Sequence, residues 1–157
     1  MSVRKLADYP RIQSLRNPSS KMSKSSPNPS SVLFLTDPPS VIHQKLKSAL
    51  TDSIPGVSYD PQQRPGISNL LQIHSGYSGE SIEEISKRFQ GERGIREFKE
   101  ELSEVVSESL RGFRGEFERI GREGEWVREM EEKGAERARE VAMGTMREVK
   151  RVVGTAE

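Results

Sequence analysis

The sequence predicts a mainly α fold: a helical bundle over residues 66–157, preceded by a segment, residues 1–65, that reads as the trailing edge of another structure. Three observations carry this. Phe98, Leu102, Val105, Val106, Leu110, Phe113, Phe117 and Ile120 recur at intervals of three and four over about seven turns, the period of a one-sided helix. Ser81-Ile-Glu-Glu84 has the form of a capping box, in which a serine and a glutamate three residues on close a helix start reciprocally. The first 30 residues, by contrast, hold four prolines and eight serines, and too few apolar side chains for a core of their own.

In chain order, Ile12-Gln13-Ser14-Leu15 alternates and predicts one strand or strand end. Val32-Leu33-Phe34-Leu35, bounded by serines and Thr36-Asp37-Pro38, predicts a short buried strand or a docked linker. Thr36 or Asp37 is expected to cap the next helix, with Pro38 in its first turn. Its apolar face is Val41, Ile42, Leu46, Ala49 and Leu50, with Lys45 and Lys47 outside. From Ser53 to Gly66 the chain is too rich in proline and glycine for a helix. Pro65 then opens a helix with the face Ile67, Leu70, Leu71 and His74, ending near Gly76 and Gly79.

The capped helix carries Ile82, Ile85 and Phe89 until Gly91, and Gly94 precedes the long periodic stretch. Because Phe98, Phe113 and Phe117 share a face with valines and leucines, they are expected in the core. Gly121 and Gly124 mark a turn. A last helix carries Trp126 or Val127, Met130, Ala138, Val141, Ala142, Met146, Val149 and Val152, and its basic end, Arg147, Lys150 and Arg151, suits the C-terminal dipole. No repeat of fixed period is present.

Composition narrows the chemistry. Charged residues make up 31% and the apolar set 32%, so the core is small and much of the chain is surface. No run approaches the roughly 18 apolar residues of a membrane span, and a soluble chain without a membrane partner is expected. The absence of cysteine excludes disulfides, thiolate metal sites and cysteine nucleophiles together. His43 and His74 stand far apart and read as packed or surface residues; no metal site is expected. The net charge is +1 but uneven. Residues 1–65 carry nine Lys/Arg against four Asp/Glu, residues 66–157 sixteen against twenty, so the first part favours an anionic ligand. The first ten residues lack the apolar run of a secretory signal, and Asp8 and Pro10 come too early for a long amphipathic presequence.

The chemistry gathers at Lys21-Met22-Ser23-Lys24-Ser25, just before Ser26-Pro-Asn-Pro29. Two charges, hydroxyls and nearby prolines make this an exposed loop. Lys21 and Lys24 can set ammonium groups on phosphate oxygens, while serine hydroxyls and loop amides add donors.

The pentapeptide is also the KMSKS signature of class I aminoacyl-tRNA synthetases, and the match extends beyond it. Pro10-Arg-Ile-Gln-Ser-Leu-Arg-Asn-Pro18 stands before it, and Ser26-Pro-Asn-Pro29, Thr51-Asp-Ser53, Tyr59-Asp60 and Arg64-Pro-Gly-Ile-Ser-Asn-Leu-Leu71 follow in order. Together they resemble the C-terminal part of bacterial-type and mitochondrial tryptophanyl-tRNA synthetases, with tyrosyl enzymes the nearest relatives. The resemblance runs from about residue 10 to the C-terminus, more loosely beyond about residue 110.

It implies that residues 1–65 are the C-terminal remnant of a Rossmann-like catalytic domain and residues 66–157 a helical anticodon-binding-like domain. It implies ATP with Mg2+, L-tryptophan and the tRNA for tryptophan as partners, and a homodimer for the complete enzyme. Lys21 and Lys24 take the catalytic role, holding the triphosphate and stabilising the departing pyrophosphate. Ile12, Lys21, Met22, Ser23, Lys24 and Ser25 form the ATP contact, Ile12 through its backbone to adenine. Ser26 stands where the family usually has Asp. Neither histidine has the context of the family's other ATP motif, His-x-Gly-His, and the tryptophan pocket is not represented. The chain is therefore expected to be the last part of such an enzyme, truncated or read from an incomplete gene model, and inactive alone. The alternative is a non-catalytic helical tRNA-binding module. The expected compartment is the mitochondrial matrix for a eukaryotic source and the cytoplasm for a bacterial one.

Overall fold

The computed structural model describes residues 11–90 and 94–155; Met1–Pro10 and the predicted stop at Gly91 lie outside them. The mainly α expectation holds: six helices and no strand occur among the described residues. They are α1 (Pro39–Lys47), α2 (Pro65–Ser78), α3 (Ile82–Arg88), α4 (Ile95–Ser109), α5 (Arg111–Arg122) and α6 (Gly124–Val153), with a short 3-10 turn at Pro29–Ser31. The chain divides into two compact units, Met1–Arg114 and Gly115–Glu157. No helix among the described residues is long and apolar enough to cross a membrane.

In the first unit α4 packs against α1 and α2, and α3 against α2. Ile42 and Leu46 of α1, Ile67, Leu70 and Leu71 of α2, Ile85 of α3, and Phe98, Leu102 and Val106 of α4 close over one core. Leu15 and Val57, from the segments before α2, are buried in the same cluster, so the core draws on both sides of residue 65. Local chemistry fixes the helix ends. The Ser81 side chain accepts from Glu84 N–H at 3.2 Å while the Glu84 carboxylate accepts from Ser81 N–H at 2.9 Å, the expected capping box. Gly79 closes α2 in the left-handed region at φ 79°. Gly66 lets α2 approach the preceding chain: a Cβ there would lie 2.3 Å from the Leu50 carbonyl oxygen.

Several expectations are corrected. Ile12–Leu15 forms no strand, only an isolated antiparallel bridge between Gln13 and Lys21. Val32 is buried and Leu33 packs on the core, but Phe34 and Leu35 are exposed, so Val32–Leu35 is no buried strand and fits the other expectation, a docked linker. Thr36 does not cap α1, and neither does Asp37. Its carboxylate accepts instead from Phe34 N–H at 2.9 Å and from Lys45 Nζ at 2.6 Å, and the N-cap is Pro38. Lys45, expected outside, is buried by this pairing, and its ammonium also lies 4.8 Å from the Phe34 ring centre. Leu50, expected on the apolar face, is exposed.

The long periodic stretch is two helices, broken at Leu110, whose N–H bonds the Val106 and Glu108 carbonyls. Phe98 is fully buried, but Phe113 and Phe117 are 45% and 57% exposed, so the aromatic stripe does not lie in one core. Neither α5 nor α6 contains a buried residue. The bundle core is therefore built by α1–α4 and not by all the helices after residue 66.

Candidate functional site

The lysine loop grows out of a small hairpin. Ser20 N–H bonds the Asn17 carbonyl at 2.9 Å across Pro18-Ser19, a β-turn with proline in the position its fixed φ favours. Ser14 N–H to Ser20 O and Met22 N–H to Ile12 O, both 2.9 Å, then flank the Gln13–Lys21 pair. In such a pair the two residues exchange no bonds themselves, and their main-chain groups point outward. On the Gln13 side they meet Asn69 of α2. Gln13 N–H donates to Asn69 Oδ1 at 2.8 Å, and Asn69 Nδ2 donates to Gln13 O at 2.9 Å.

Beneath the hairpin, Ile12 and Met22 pack with Leu33 against the core and line an apolar cleft of about 340 Å³ with Ile73 and Tyr77. Burial raises the Tyr77 phenol above its ordinary value. Lys21 and Lys24 are exposed, and among the described residues no carboxylate pairs with either. Past Lys21 the chain turns again, with Ser26 N–H on the Ser23 carbonyl at 3.0 Å and the Ser23 and Ser25 hydroxyls 3.0 Å apart. Ser26 anchors this turn: its Oγ accepts from the buried Ser31 hydroxyl at 2.8 Å. Ser31 in turn holds Leu15 N–H on its carbonyl at 3.0 Å.

Ile12, Lys21 and Met22 thus meet in one hairpin, and Ser23, Lys24 and Ser25 continue from it in the adjoining turn. An apolar underside and a face of unpaired ammonium groups, hydroxyls and amides suit a polyanion lying along the outside.

Sequence reasoning missed one support of the hairpin, Asn69, and one buried charge of the loop before α2, Arg64. Asn69 is 3% exposed, and its signal was an amide between Ile67 and Leu70 on a helix that must bury that side. Arg64, 4% exposed, holds the loop before α2. Its guanidinium takes Asp52 in a fork (Nη2 to Oδ1 2.8 Å, Nε to Oδ2 3.0 Å), the Ser58 hydroxyl at 2.8 Å, and the Ile54 and Gly56 carbonyls at 2.8 and 3.0 Å. Burial alone would push the Asp52 carboxyl up; hydrogen bonds from Arg64 and the Ile54 amide, with the attraction of the Arg64 charge, outweigh it and hold the group below the usual carboxylate value.

Both histidines are structural in their contacts. His74 is buried, stacked on Phe98 at 5.9 Å, with Nε2 3.1 Å from Glu101 Oε1; His43 Nδ1 lies 3.0 Å from Ser103 Oγ. Lys99 Nζ donates to the Ala49 carbonyl at 2.8 Å just past α1, and burial, with repulsion from Arg16, lowers its pKa.

Comparison with known proteins decides the family. Residues 6–111 match the profile described as tRNA synthetases class I (W and Y). The chain belongs to this class I synthetase family. It is 42% identical over 144 residues to the tryptophan–tRNA ligase of Bacillus anthracis, covering 92% of this chain and 43% of that protein. It is 41% identical over 153 residues to the mitochondrial tryptophan–tRNA ligase of Saccharomyces cerevisiae, covering 97% of this chain and 40% of that one. Among solved structures, the tryptophanyl-tRNA synthetase of Mycoplasma pneumoniae superposes with a TM-score of 0.56 at 28% identity, over 66% of this chain and 34% of that one. The chain thus spans about two fifths of the length of the curated synthetases it matches.

Proposed function

We propose that this chain is the nucleotide-loop and helical portion of a tryptophan–tRNA ligase, and that its hairpin binds the phosphates of ATP. The observation that carries the reading is the pair Lys21 and Lys24, exposed and, among the described residues, without carboxylate partners, on an apolar-backed hairpin and the turn that follows it, within a chain of this synthetase family. In the complete reaction, the tryptophan carboxylate attacks the α-phosphorus of ATP, and the bond to the β,γ-phosphates breaks to release pyrophosphate. Negative charge gathers on the leaving phosphates. Two ammonium groups held beside them stabilise that charge more in the transition state than in the ground state, an electrostatic term of several kcal/mol (roughly 3–4 for one well-placed donor).

Met22, Ser23 and Ser25 complete the loop, and the Ile12 backbone meets adenine. Mg2+ enters with the ATP, carried by its phosphate oxygens. The helical part, residues 66–157, reads the anticodon of the tRNA for tryptophan, whose unpaired bases can be splayed and hydrogen-bonded by side chains. Residues 1–65 act as the end of the nucleotide domain. The relatives include bacterial and mitochondrial ligases, so the site of action is the bacterial cytoplasm or the mitochondrial matrix.

By itself the 157-residue polypeptide forms no adenylate. Neither His43 nor His74 supplies a His-x-Gly-His motif, and two positioned lysines do not replace the orientation terms of a whole site. Tryptophan-dependent ATP–pyrophosphate exchange on the purified chain tests this. Background exchange is expected, and clear tryptophan-dependent exchange would show that the polypeptide carries a full active site. A non-catalytic tRNA-binding role has no separate observation in its favour.

A further inference from the structure

We propose that Asn69 is a positioning residue, its carboxamide serving as a surrogate third strand that fixes the spacing between the Ile12 backbone and the two loop lysines. The inference rests on the ATP reading of the hairpin. An isolated two-stranded hairpin is marginal in water, and among the described residues this one has two ladder bonds between its arms, one on each side of the Gln13–Lys21 pair. Its outer edge is nevertheless satisfied. Both outward main-chain groups of Gln13 end on Asn69, 56 residues later in sequence, at 2.8 and 2.9 Å.

A buried asparagine needs partners in any fold, and one bond to a neighbouring helix carbonyl would reduce that need. Here the amide reaches instead to the residue that is bonded covalently to Ile12 and paired across the hairpin with Lys21. One side chain of α2 therefore sets the arm that meets the base, and through the pair it sets the arm that meets the phosphates. Leu15 N–H on Ser31 O, Leu50 N–H on Leu15 O and Arg16 Nη2 on Ser48 Oγ tether the hairpin on the turn side of Gln13, and Ile12 and Met22 pack on the core below it; the outward main-chain groups at the Gln13 level are left to Asn69.

A spacing role and a purely structural one differ in what they do to ligands of different reach. Mg·ATP engages both Ile12 and the lysines, whereas inorganic triphosphate engages the lysines alone. Titration of each into the full chain, read at the Lys21–Ser25 amides by NMR, separates the two roles. Asn69→Ala is expected to weaken Mg·ATP roughly fivefold, the effect of losing about one net hydrogen bond of preorganisation, and to leave triphosphate within about twofold. Equal weakening of both ligands, or of neither, overturns the inference while leaving the lysine reading intact. If Asn69→Ala does not fold, Asn69→Gln keeps both polar groups one methylene further out and must show the same split. An unmodified chain with no Mg·ATP response at these amides refutes the phosphate-loop reading, and this inference falls with it.

Discussion

The two compact units of the chain obey the same helical periodicity and put it to different use. In Met1–Arg114, apolar faces of α1–α4 close over a core in which Ile42, Leu46, Phe98 and Leu102 are wholly buried. In Gly115–Glu157, α6 has an apolar series of similar spacing and buries none of it; pairs such as Lys133–Glu129 at 2.6 Å lie on exposed surface. An amphipathic pattern therefore predicts that a helix exists, and says nothing of what covers it. Helices draw most of their stability from packing, so the first unit should respond to single substitutions and the second should not.

The largest expected effect is at Arg64. Arg64→Ala would strip the Asp52 carboxylate of its fork and free two loop carbonyls, at a cost of about 3–5 kcal/mol in denaturant unfolding of the first unit. A loss below about 1 kcal/mol would show that the loop before α2 is held by packing alone. The same ion pair gives a pH signature. Because the folded carboxyl of Asp52 is held below its usual value, its contribution is full above the unfolded pKa of about 3.9 and fades as pH falls through the lower folded value. Acid unfolding of the unmodified chain should contain this term, and Asp52→Asn should lack it.

Next in size is Gly66→Ala. The added Cβ would meet the Leu50 carbonyl oxygen at 2.3 Å, so backbone must shift, at about 1–3 kcal/mol by the same measurement. Ser81→Ala removes the capping box of α3 and should cost about 1 kcal/mol, seen as earlier hydrogen exchange of the Glu84 amide. The smallest change should come from Val152→Ser on α6, within about 0.5 kcal/mol. A larger loss there would break the contrast between the units, because it would mean that the α6 face is covered.

The local signals were legible wherever chemistry and geometry are close in sequence. The capping box, Pro65 opening α2, and the solvent-facing lysine pair all follow from side chains within four residues of one another. Phe113 and Phe117 share the face of Phe98 and yet are exposed, because spacing reports a face and not its neighbour. Asp37 stands, like Thr36, where a cap is expected, but Lys45, eight residues on, claims its carboxylate at 2.6 Å. Ile12–Leu15 alternates as a strand or strand end does, because alternation cannot tell a sheet edge from a hairpin whose outer partner is a side chain on α2. Asn69 supports the candidate site through a contact 56 residues away, and Arg64 holds the loop before α2 through one 12 residues away, both beyond the reach of any local pattern.

Titration of Mg·ATP into the full chain and its Lys21→Ala/Lys24→Ala variant, followed at the amides of residues 21–25, is the most direct test of the phosphate grip. Saturable shifts confined to the hairpin, and lost in the double variant while its fold and melting temperature persist, are the predicted result. Undiminished saturable binding by the double variant would place the nucleotide elsewhere and contradict the account.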